Sequence, residues 1–279
     1  MIPFDFEYYR PASIEEAVQL FSKLYKEGKK PLYYSGGTEI ITYARLNLVS
    51  TEAVIDIKYI PACHTYGSQQ GFLILGAALT LTQISDMNAF PLLSTTASRI
   101  ADHTARNKIT LGGNIAGDIP YREAVLPFLL TNSTFVIAGM GGIRYVPAKK
   151  AFQGQLQLYP GEFLVQIATP AEYANAPFYS VKKRKNEEID YPLITLAAIK
   201  TDFNIRTAYS GLCEFPFCSE KMDRQLNNKN IPREQRIERA VASIPNSVRN
   251  DIRGSREYRL FVLRNMLQDA LTELEGVEV

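Results

Sequence analysis

The chain has 279 residues, 46% of them apolar, and its 31 basic and 29 acidic side chains give a formal net charge of +2. This length allows a sizeable core and two domains, and the near-neutral charge argues against a nucleic-acid-binding protein. No apolar run approaches a membrane span and the first residues lack a signal-peptide pattern, so we expect a cytoplasmic protein. Three cysteines in no C-x-x-C pair and two histidines predict no metal site.

The N-terminal residues predict a small α/β unit. Ser13 and Glu16 form a capping box ahead of apolar residues at helical spacing, and Gly28 ends this helix. Residues 31–34 and 54–57 have the composition of short buried strands. We therefore place a first domain at 1–57.

A glycine pair follows the first of these strands directly, in the segment Tyr34-Ser35-Gly36-Gly37-Thr38-Glu39-Ile40. Glycines let a backbone come close to a ligand, so several N–H groups and a hydroxyl can meet one anion there. A plain tight turn between a strand and a helix explains the same residues. Both interpretations stay open on these residues alone.

The next part of the chain mixes strands and helices. We predict a strand at 72–76, helices at 92–105 and 124–130, and strands at 134–138 and 143–146. The last two strands are joined by Gly139-Met140-Gly141-Gly142. Arg144 takes the place of the third glycine of a dinucleotide fingerprint and a strand follows, so these glycines predict a β-hairpin turn.

A second glycine pair lies between the two predicted helices, in Thr110-Leu111-Gly112-Gly113-Asn114. It repeats the combination of two glycines with a hydroxyl and adds an amide side chain that both donates and accepts hydrogen bonds. Two such segments in one chain point to a pyrophosphate, and so to a dinucleotide cofactor. The spacing leaves open whether the two segments meet in space.

Glu123 and the basic run 182–185 are candidate polar contacts of such a cofactor. Glu123 could accept hydrogen bonds from ribose hydroxyls, or it could be a surface carboxylate at a helix N-terminus. In the basic run, strand alternation places Lys182 and Arg184 on one face, so only one pair of cations could face a cofactor. A run of solvated strand charges is the alternative.

A domain boundary is predicted near Pro170, where apolar periodicity is lost between two prolines. Residues 58–170 form a second domain. Strands at 178–181, 194–200 and 205–212 and helices at 237–243 and 258–274 then form a third domain, at 171–279. The chain has no hydrolase motif and no P-loop, so we expect a cofactor to carry the chemistry.

These residues resemble a known family, the FAD-binding medium subunits of the molybdenum hydroxylases, which include xanthine dehydrogenase and aerobic carbon monoxide dehydrogenase. The first flavin loop of that family, Ala-Gly-Gly-Thr-Asp-Leu, is matched by residues 35–40, and the second, Arg-Asn-x-Gly-Thr-Ile-Gly-Gly-Asn, by residues 106–114. Segments 6–13, 160–164 and 251–259 also resemble the family, so the resemblance covers nearly the whole chain. It implies an α+β fold, with a two-part FAD-binding region of the vanillyl-alcohol-oxidase type and a small C-terminal α+β domain.

The resemblance also implies roles for the matched residues. Both glycine segments, 34–40 and 110–114, would hold the FAD pyrophosphate. The further contacts implied are Ile100 and Lys182 at the flavin, Glu123 at a ribose, Leu164 on the adenine side, and Asp190, followed by Tyr191, near the isoalloxazine edge. The chain departs from the family at 117–123, where bulkier residues replace small ones and a glutamate stands for an aspartate.

The function implied by the resemblance is electron transfer. Electrons would leave a substrate at the molybdenum cofactor of a large molybdopterin-binding subunit, pass the 2Fe-2S clusters of a small subunit, reach FAD on this chain and go to an acceptor such as NAD. Two alternatives remain: a stand-alone FAD oxidoreductase of the same fold, and a flavin-free assembly subunit, which the departure at 117–123 makes conceivable. The substrate would bind the partner, so these residues do not reveal it.

Overall fold

The computed structural model describes residues 2–185, 189–202 and 204–276. The strands in chain order are β1 (Glu7–Tyr9), β2 (Pro31–Tyr34), β3 (Ala53–Asp56), β4 (Tyr66–Gln69), β5 (Phe72–Gly76), β6 (Thr134–Gly139), β7 (Gly142–Pro147), β8 (Phe163–Pro170), β9 (Phe178–Arg184), β10 (Pro192–Thr201), β11 (Asn204–Ser210) and β12 (Phe217–Cys218). The α-helices are α1 (Ile14–Lys26), α2 (Thr38–Arg45), α3 (Leu81–Met87), α4 (Pro91–Ser98), α5 (His103–Arg106), α6 (Leu111–Ala116), α7 (Leu126–Leu130), α8 (Ala148–Ala151), α9 (Glu220–Leu226), α10 (Arg233–Val241) and α11 (Arg256–Glu275). Short 3-10 helices cover Ile57–Tyr59, Pro61–His64, Glu123–Val125 and Ala171–Asn175.

The described residues form two compact units, each assembled from separate stretches of the chain. The first unit contains the described residues up to 84, 103–118 and 133–171. The second contains 85–102, 119–132 and the described residues from 172 onward. The chain passes from the first unit to the second directly after Ala171, next to the boundary predicted at Pro170. The division into domains at 1–57, 58–170 and 171–279 stays a prediction.

The first unit contains a parallel sheet in the order β1-β3-β2 and an antiparallel sheet in the order β4-β5-β8-β6-β7. Helix α1 is capped as predicted by Ser13, whose hydroxyl accepts a hydrogen bond from the Glu16 amide. Its buried residues Ala17, Val18 and Leu24 join an apolar core with residues of β3, β6 and β8. Burying a valine or leucine side chain contributes about 1.5–3 kcal/mol, so this core holds the parallel sheet that leads into the first glycine segment.

The glycines at 139–142 form the predicted β-hairpin turn. Gly139 and Gly142 pair across β6 and β7, which leaves Met140 and Gly141 as a two-residue loop. A dinucleotide fingerprint needs a helix after its glycines, whereas a strand follows here. The hairpin interpretation is therefore confirmed.

The continuous helix predicted at 92–105 is wrong, because the structure contains α4 and α5 with a break at 99–102. Ala101 in this break has a left-handed backbone, with φ +48°. In a continuous helix the Arg99 carbonyl oxygen would accept from the amide four residues later. Here it accepts from the side chains of Lys182 and Arg184, at 3.0 and 2.9 Å. A strand remote in sequence thus takes the acceptor that a longer helix would need.

The second unit contains an antiparallel sheet in the order β12-β11-β10-β9, which shares an apolar core with α9, α10 and α11. Arg259 of α11 is only 1% exposed. Its guanidinium donates to the carbonyl oxygens of Leu193 and Gly211 and pairs with Asp251 at 2.7 Å. The segment 251–259 therefore anchors α11 to the sheet, because a buried arginine requires all of these partners.

This mixture of helices with parallel and antiparallel sheets confirms the predicted α+β class. Within the described ranges, no helix is both long and apolar enough to cross a membrane. In that same part of the chain, no group of three histidine, cysteine, aspartate or glutamate side chains is arranged to hold a metal ion.

Candidate functional site

The first glycine segment connects β2 to α2 in the first unit. β2 ends at Tyr34, the backbone turns through Ser35 and Gly36, and Gly37 forms the N-terminal cap of α2 with φ +71°. This left-handed conformation suits glycine, and a Cβ on Gly37 would also overlap the Tyr34 ring. The predicted order of strand, glycine pair and helix is confirmed.

This first segment keeps several hydrogen-bond donors open. Among the described residues, the N–H groups of Gly36, Gly37 and Thr38 meet no acceptor, and no side chain caps α2. The Ser35 hydroxyl oxygen is buried and also has no partner in that part of the chain. Amides at a helix N-terminus carry partial positive charge and favour an anion. The segment therefore offers the donors that a phosphate group requires.

The second glycine pair differs from its prediction. Thr110 caps α6, and Gly112 and Gly113 lie in the first turn of this helix rather than in an open loop. The amides of 111–114 are already bonded within the first unit: Leu111 N to Leu79 O, Gly112 N to Ala77 O and Asn114 N to Thr110 O at 2.8 Å each, and Gly113 N to Thr110 Oγ1 at 3.3 Å. The interpretation of this pair as an open nest of N–H groups is therefore wrong, because the fold uses those groups. Cofactor contacts of 110–114 stay predictions.

The structure brings the two glycine segments into contact. A Cβ on Gly36 would overlap the Lys108 carbonyl oxygen and stand 3.1 Å from the Thr110 amide nitrogen. A second link lies beyond the glycines, where the Asp118 amide donates to Glu39 Oε1 at 2.6 Å. The two glycine segments therefore meet in space, which their spacing in the sequence had left open. A glycine is needed at position 36 because two backbones come close together there.

Sequence reasoning missed a polar network behind the first segment. The Asp56 carboxylate, fully buried at the end of β3, accepts from the Tyr8 hydroxyl and, at 2.8 and 2.9 Å, from the Lys58 ammonium. The same ammonium donates to the Ser35 carbonyl oxygen at 2.8 Å and lies 4.6 Å from the centroid of the Tyr34 ring. Burial and the hydrogen bond to Asp56 raise the pKa of Tyr8 to about 12. An acidic residue at the end of an apolar strand is the signal that could have found this network.

Leu164 lies in β8 of the first unit. It is buried and pairs with Ile137 of β6, beside a register shift. Its neighbours Phe163 and Val165 belong to the core beneath α1, so strand alternation turns Leu164 to the opposite face of the sheet. The adenine contact implied for Leu164 stays a prediction.

In the second unit, Glu123 forms a buried ion pair with Lys182. Lys182 Nζ lies 2.9 Å from Glu123 Oε2, and Thr195 Oγ1 donates to the other carboxylate oxygen at 2.5 Å. The two charged side chains are 4% and 2% exposed, so Glu123 is not the surface carboxylate of the alternative interpretation. Burial lowers the pKa of Lys182, although the negative charge of Glu123 opposes this shift. The ribose contact implied for Glu123 stays a prediction.

The basic run 182–185 follows the predicted alternation of β9. Lys182 and Arg184 reach the same acceptor, the Arg99 carbonyl oxygen, whereas Lys183 is exposed. Ile100 follows that carbonyl group directly and is buried. The cations of one strand face thus hold the backbone at 99–101. The flavin contacts implied for Ile100 and Lys182 stay predictions.

Asp190 and Tyr191 belong to an aromatic and cationic cluster in the second unit. Asp190 Oδ1 lies 3.8 Å from Arg253 Nε, and the Tyr191 ring stacks on Tyr121 with centroids 4.8 Å apart. The Arg253 guanidinium lies over both rings. Tyr121 belongs to the stretch 117–123, where the sequence departs from the family pattern. Its ring is nevertheless packed against the Tyr191 ring and the Arg253 guanidinium. The flavin contact implied for Asp190 stays a prediction.

Comparison with known proteins identifies the relatives of this chain. Residues 4–172 match the family described as the FAD binding domain in molybdopterin dehydrogenase. The carbon monoxide dehydrogenase medium chain of Hydrogenophaga pseudoflava is 28% identical over 286 residues, with 97% of both chains covered. A putative xanthine dehydrogenase FAD-binding subunit of Escherichia coli (strain K12) is 24% identical over 288 residues, covering 97% of this chain and 96% of the relative.

A solved structure gives the same result for the fold. The carbon monoxide dehydrogenase from Hydrogenophaga pseudoflava that lacks the Mo-pyranopterin moiety of the molybdenum cofactor matches with a TM-score of 0.86 and 26% identity, over 99% of both chains. These matches confirm the resemblance that rested on the motifs. They also confirm FAD as the cofactor and an oxidoreductase subunit as the class of protein.

Proposed function

Because the chain belongs to the family of FAD binding domains in molybdopterin dehydrogenases, we propose that it is the electron-transferring FAD subunit of a molybdenum hydroxylase complex. In this proposal, electrons reach the chain from the iron–sulfur clusters of a small subunit, which draws them from a large molybdopterin-binding subunit. They leave to an acceptor such as NAD. When bound, FAD supplies the chemistry of taking electrons singly and giving them in pairs. The protein supplies binding and orientation.

The unbonded hydrogen-bond donors of the first glycine segment are the observation that supports FAD binding. The amides of Gly36, Gly37 and Thr38 have no partner among the described residues. The buried Ser35 hydroxyl has none there either, although an unpaired buried polar group is costly. A pyrophosphate would satisfy these donors, and the N-terminal end of α2 adds a favourable partial charge. The residues of this chain therefore fit the diphosphate part of FAD.

The second glycine segment supports the first in this proposal. Its amides are used within the fold, so its backbone forms a rigid surface against which Gly36 packs. Thr110 and Gly113 lie on the same part of the first unit, and Gly113 is exposed to solvent. We assign 34–38 to the pyrophosphate and 110–114 to shaping the site around it.

The names of the relatives support the assembly into a complex. They are called a medium chain and an FAD-binding subunit, terms that refer to proteins with several subunits. We extend this organisation to the present chain and keep the cytoplasm as its expected location. The acceptor, whether NAD or another molecule, belongs to the proposal as well.

Purification of the tagged chain from its own cells tests the proposal. We expect co-purification with a larger and a smaller protein, molybdenum and iron in the assembly, and FAD equimolar with the tagged chain. Absorbance of bound flavin, metal analysis and mass spectrometry of the partners provide the measurements. A chain that retains FAD without metal-containing partners would be a stand-alone oxidoreductase. Partners recovered without flavin would identify an assembly subunit.

A further inference from the structure

The Lys58 ammonium has no donor left for a ligand. An ammonium group carries three N–H donors. Those of Lys58 are taken by the two carboxylate oxygens of Asp56, at 2.9 and 2.8 Å, and by the Ser35 carbonyl oxygen, at 2.8 Å. The charge of Lys58 is also balanced by the buried Asp56. Lys58 thus lies behind the first glycine segment without acting as a phosphate ligand.

The bond from Lys58 fixes the direction of one peptide group. The C=O of Ser35 and the N–H of Gly36 belong to the same planar trans peptide, so they point in opposite directions. Because the carbonyl oxygen points at Lys58, the Gly36 N–H points away from it. That N–H is one of the donors that meet no acceptor among the described residues.

The rest of the network holds Lys58 in place. Asp56 is paired with Tyr34 in the register of β2 and β3, directly before the glycine segment. Its carboxylate also accepts from the Lys58 amide at 3.0 Å and from the Tyr8 hydroxyl. The Lys58 side chain crosses the Tyr34 ring, the same ring that Gly37 packs against. The network therefore joins the strand end, the ring and the peptide of the segment.

We infer that Lys58, held by Asp56, is a positioning residue that aims the Gly36 N–H at the pyrophosphate of FAD. This inference rests on the proposed function, since it assumes that the first segment holds the pyrophosphate. The inference adds a requirement that lies outside both glycine motifs. The ion pair of Asp56 and Lys58 must orient the peptide group whose N–H donates to the phosphate.

Four variants of the full-length chain separate this role from others. Lys58→Met removes the bond to the Ser35 carbonyl group, and Lys58→Arg keeps a cation that can donate to both acceptors. The double variant Asp56→Asn with Lys58→Met also removes the bond, without leaving a buried carboxylate unpaired. Lys150→Met is the matched control, because this lysine of α8 is exposed and belongs to the same unit.

The measurement is the dissociation constant of the apoprotein for FAD and for riboflavin, which lacks the pyrophosphate, at two salt concentrations. We expect Lys58→Met and the double variant to weaken FAD binding by about tenfold to a hundredfold, the equivalent of one charged hydrogen bond. Binding of riboflavin, FAD binding of Lys150→Met and most of the FAD affinity of Lys58→Arg should be preserved. In the double variant the salt dependence of FAD binding should not change, because the ion pair is removed without altering the net charge and Lys58 does not touch the phosphates.

Each of the other possible results contradicts a specific part of the proposal. Wild-type protein that binds FAD no better than riboflavin would contradict the proposed pyrophosphate site itself. Wild-type preference for FAD that survives in Lys58→Met and in the double variant would refute only the positioning role. Equal losses for FAD and riboflavin would mean a purely structural role, and a weaker salt dependence in the double variant, whose net charge is unchanged, would make Lys58 a direct phosphate ligand.

Discussion

Gly36 of the first glycine segment lies in backbone contact with Lys108, two residues before the second segment begins. There is no room for a Cβ on Gly36, because it would overlap the Lys108 carbonyl oxygen. The two segments therefore form one surface in the first unit. Their glycines serve this close packing as well as any ligand.

Substitution of Gly36 by alanine should separate the two segments. The methyl group has to displace a backbone carbonyl group, so we expect the free energy of unfolding to fall by about 1–3 kcal/mol. FAD retention should fall in parallel. Gly141→Ala is the matched control, because a Cβ there meets no atom within 4 Å. Urea unfolding and flavin content give the two readouts, and a Gly36→Ala protein as stable as Gly141→Ala would contradict the contact.

Gly113→Val tests whether the second segment borders the cofactor. A Cβ at this position would stand 2.8 Å from Thr110 Oγ1, the group that caps α6. We expect the loss of the cap to cost about 1 kcal/mol and the fold to persist. FAD binding should be abolished, because the added side chain blocks the approach of the phosphate.

The control for this substitution is Thr110→Val, which removes the same cap without adding atoms at 113. Thermal melting compares the stability of the two variants, and fluorescence titration compares their FAD affinity. The loss in Gly113→Val beyond that in Thr110→Val measures the effect of the added side chain. Equal FAD affinities would show that no phosphate borders Gly113.

Glu123→Gln should destabilise the second unit strongly. It leaves the Lys182 ammonium buried without its carboxylate, which typically costs about 3–5 kcal/mol. Burial already lowers the pKa of Lys182, and loss of Glu123 lowers it further. The destabilisation should therefore be present at neutral pH and shrink as pH rises into the alkaline range, because a neutral lysine needs no carboxylate.

Urea unfolding at several pH values measures this effect. The double variant Glu123→Gln with Lys182→Met should recover most of the stability, since no charge remains unpaired. Glu172→Gln, at an exposed position in the same unit, should stay within about 0.5 kcal/mol of wild type. A Glu123→Gln protein of unchanged stability that fails to bind FAD would instead favour the ribose contact.

Tyr8 should make the stability of the first unit depend on alkaline pH. Its pKa is raised to about 12 in the folded protein from an ordinary value of 10.0. The folded state therefore keeps the phenolic proton that the unfolded state loses, and stability decreases as pH rises from the unfolded to the folded value. In Tyr8→Phe this contribution should be absent, whereas Tyr66→Phe, at a tyrosine of β4 exposed to a similar degree but not bonded to Asp56, should behave like wild type. Unfolding curves are measured from neutral to strongly alkaline pH. If Tyr8 made no such contribution, the free energy of unfolding would fall in parallel in all three proteins.

Several local features could be predicted because neighbours in sequence decide them. The Ser13 cap of α1, the hairpin at 139–142 and the order of strand, glycine pair and helix around Gly37 each depend on interactions within a few residues. Helix α4 shows the limit of this reasoning. Its apolar pattern continues beyond Ser98, but Lys182 and Arg184 take the acceptor that the next turn would need.

The candidate site also has features that the sequence predicted and features that only the structure revealed. The residue types of the two glycine segments indicated a phosphate site and the family, because close approach of a backbone to an anion requires glycine and nearby donors. Their patterns are alike, yet the structure leaves the donors of one open and uses those of the other. Local sequence cannot distinguish them, since the acceptors at Leu79 and Ala77 come from another part of the chain.

By itself, the sequence determined the secondary structure around the first glycine pair, the cofactor class and the family, because these depend on residue type and short spacing. Only the tertiary structure decided which groups are available to a ligand. It placed Gly36 against Lys108, paired Glu123 with Lys182 across 59 residues, and put Lys58 behind the Ser35 carbonyl group. The physical reason is that a buried donor or charge must find a partner, and packing of distant segments decides which partner is within reach.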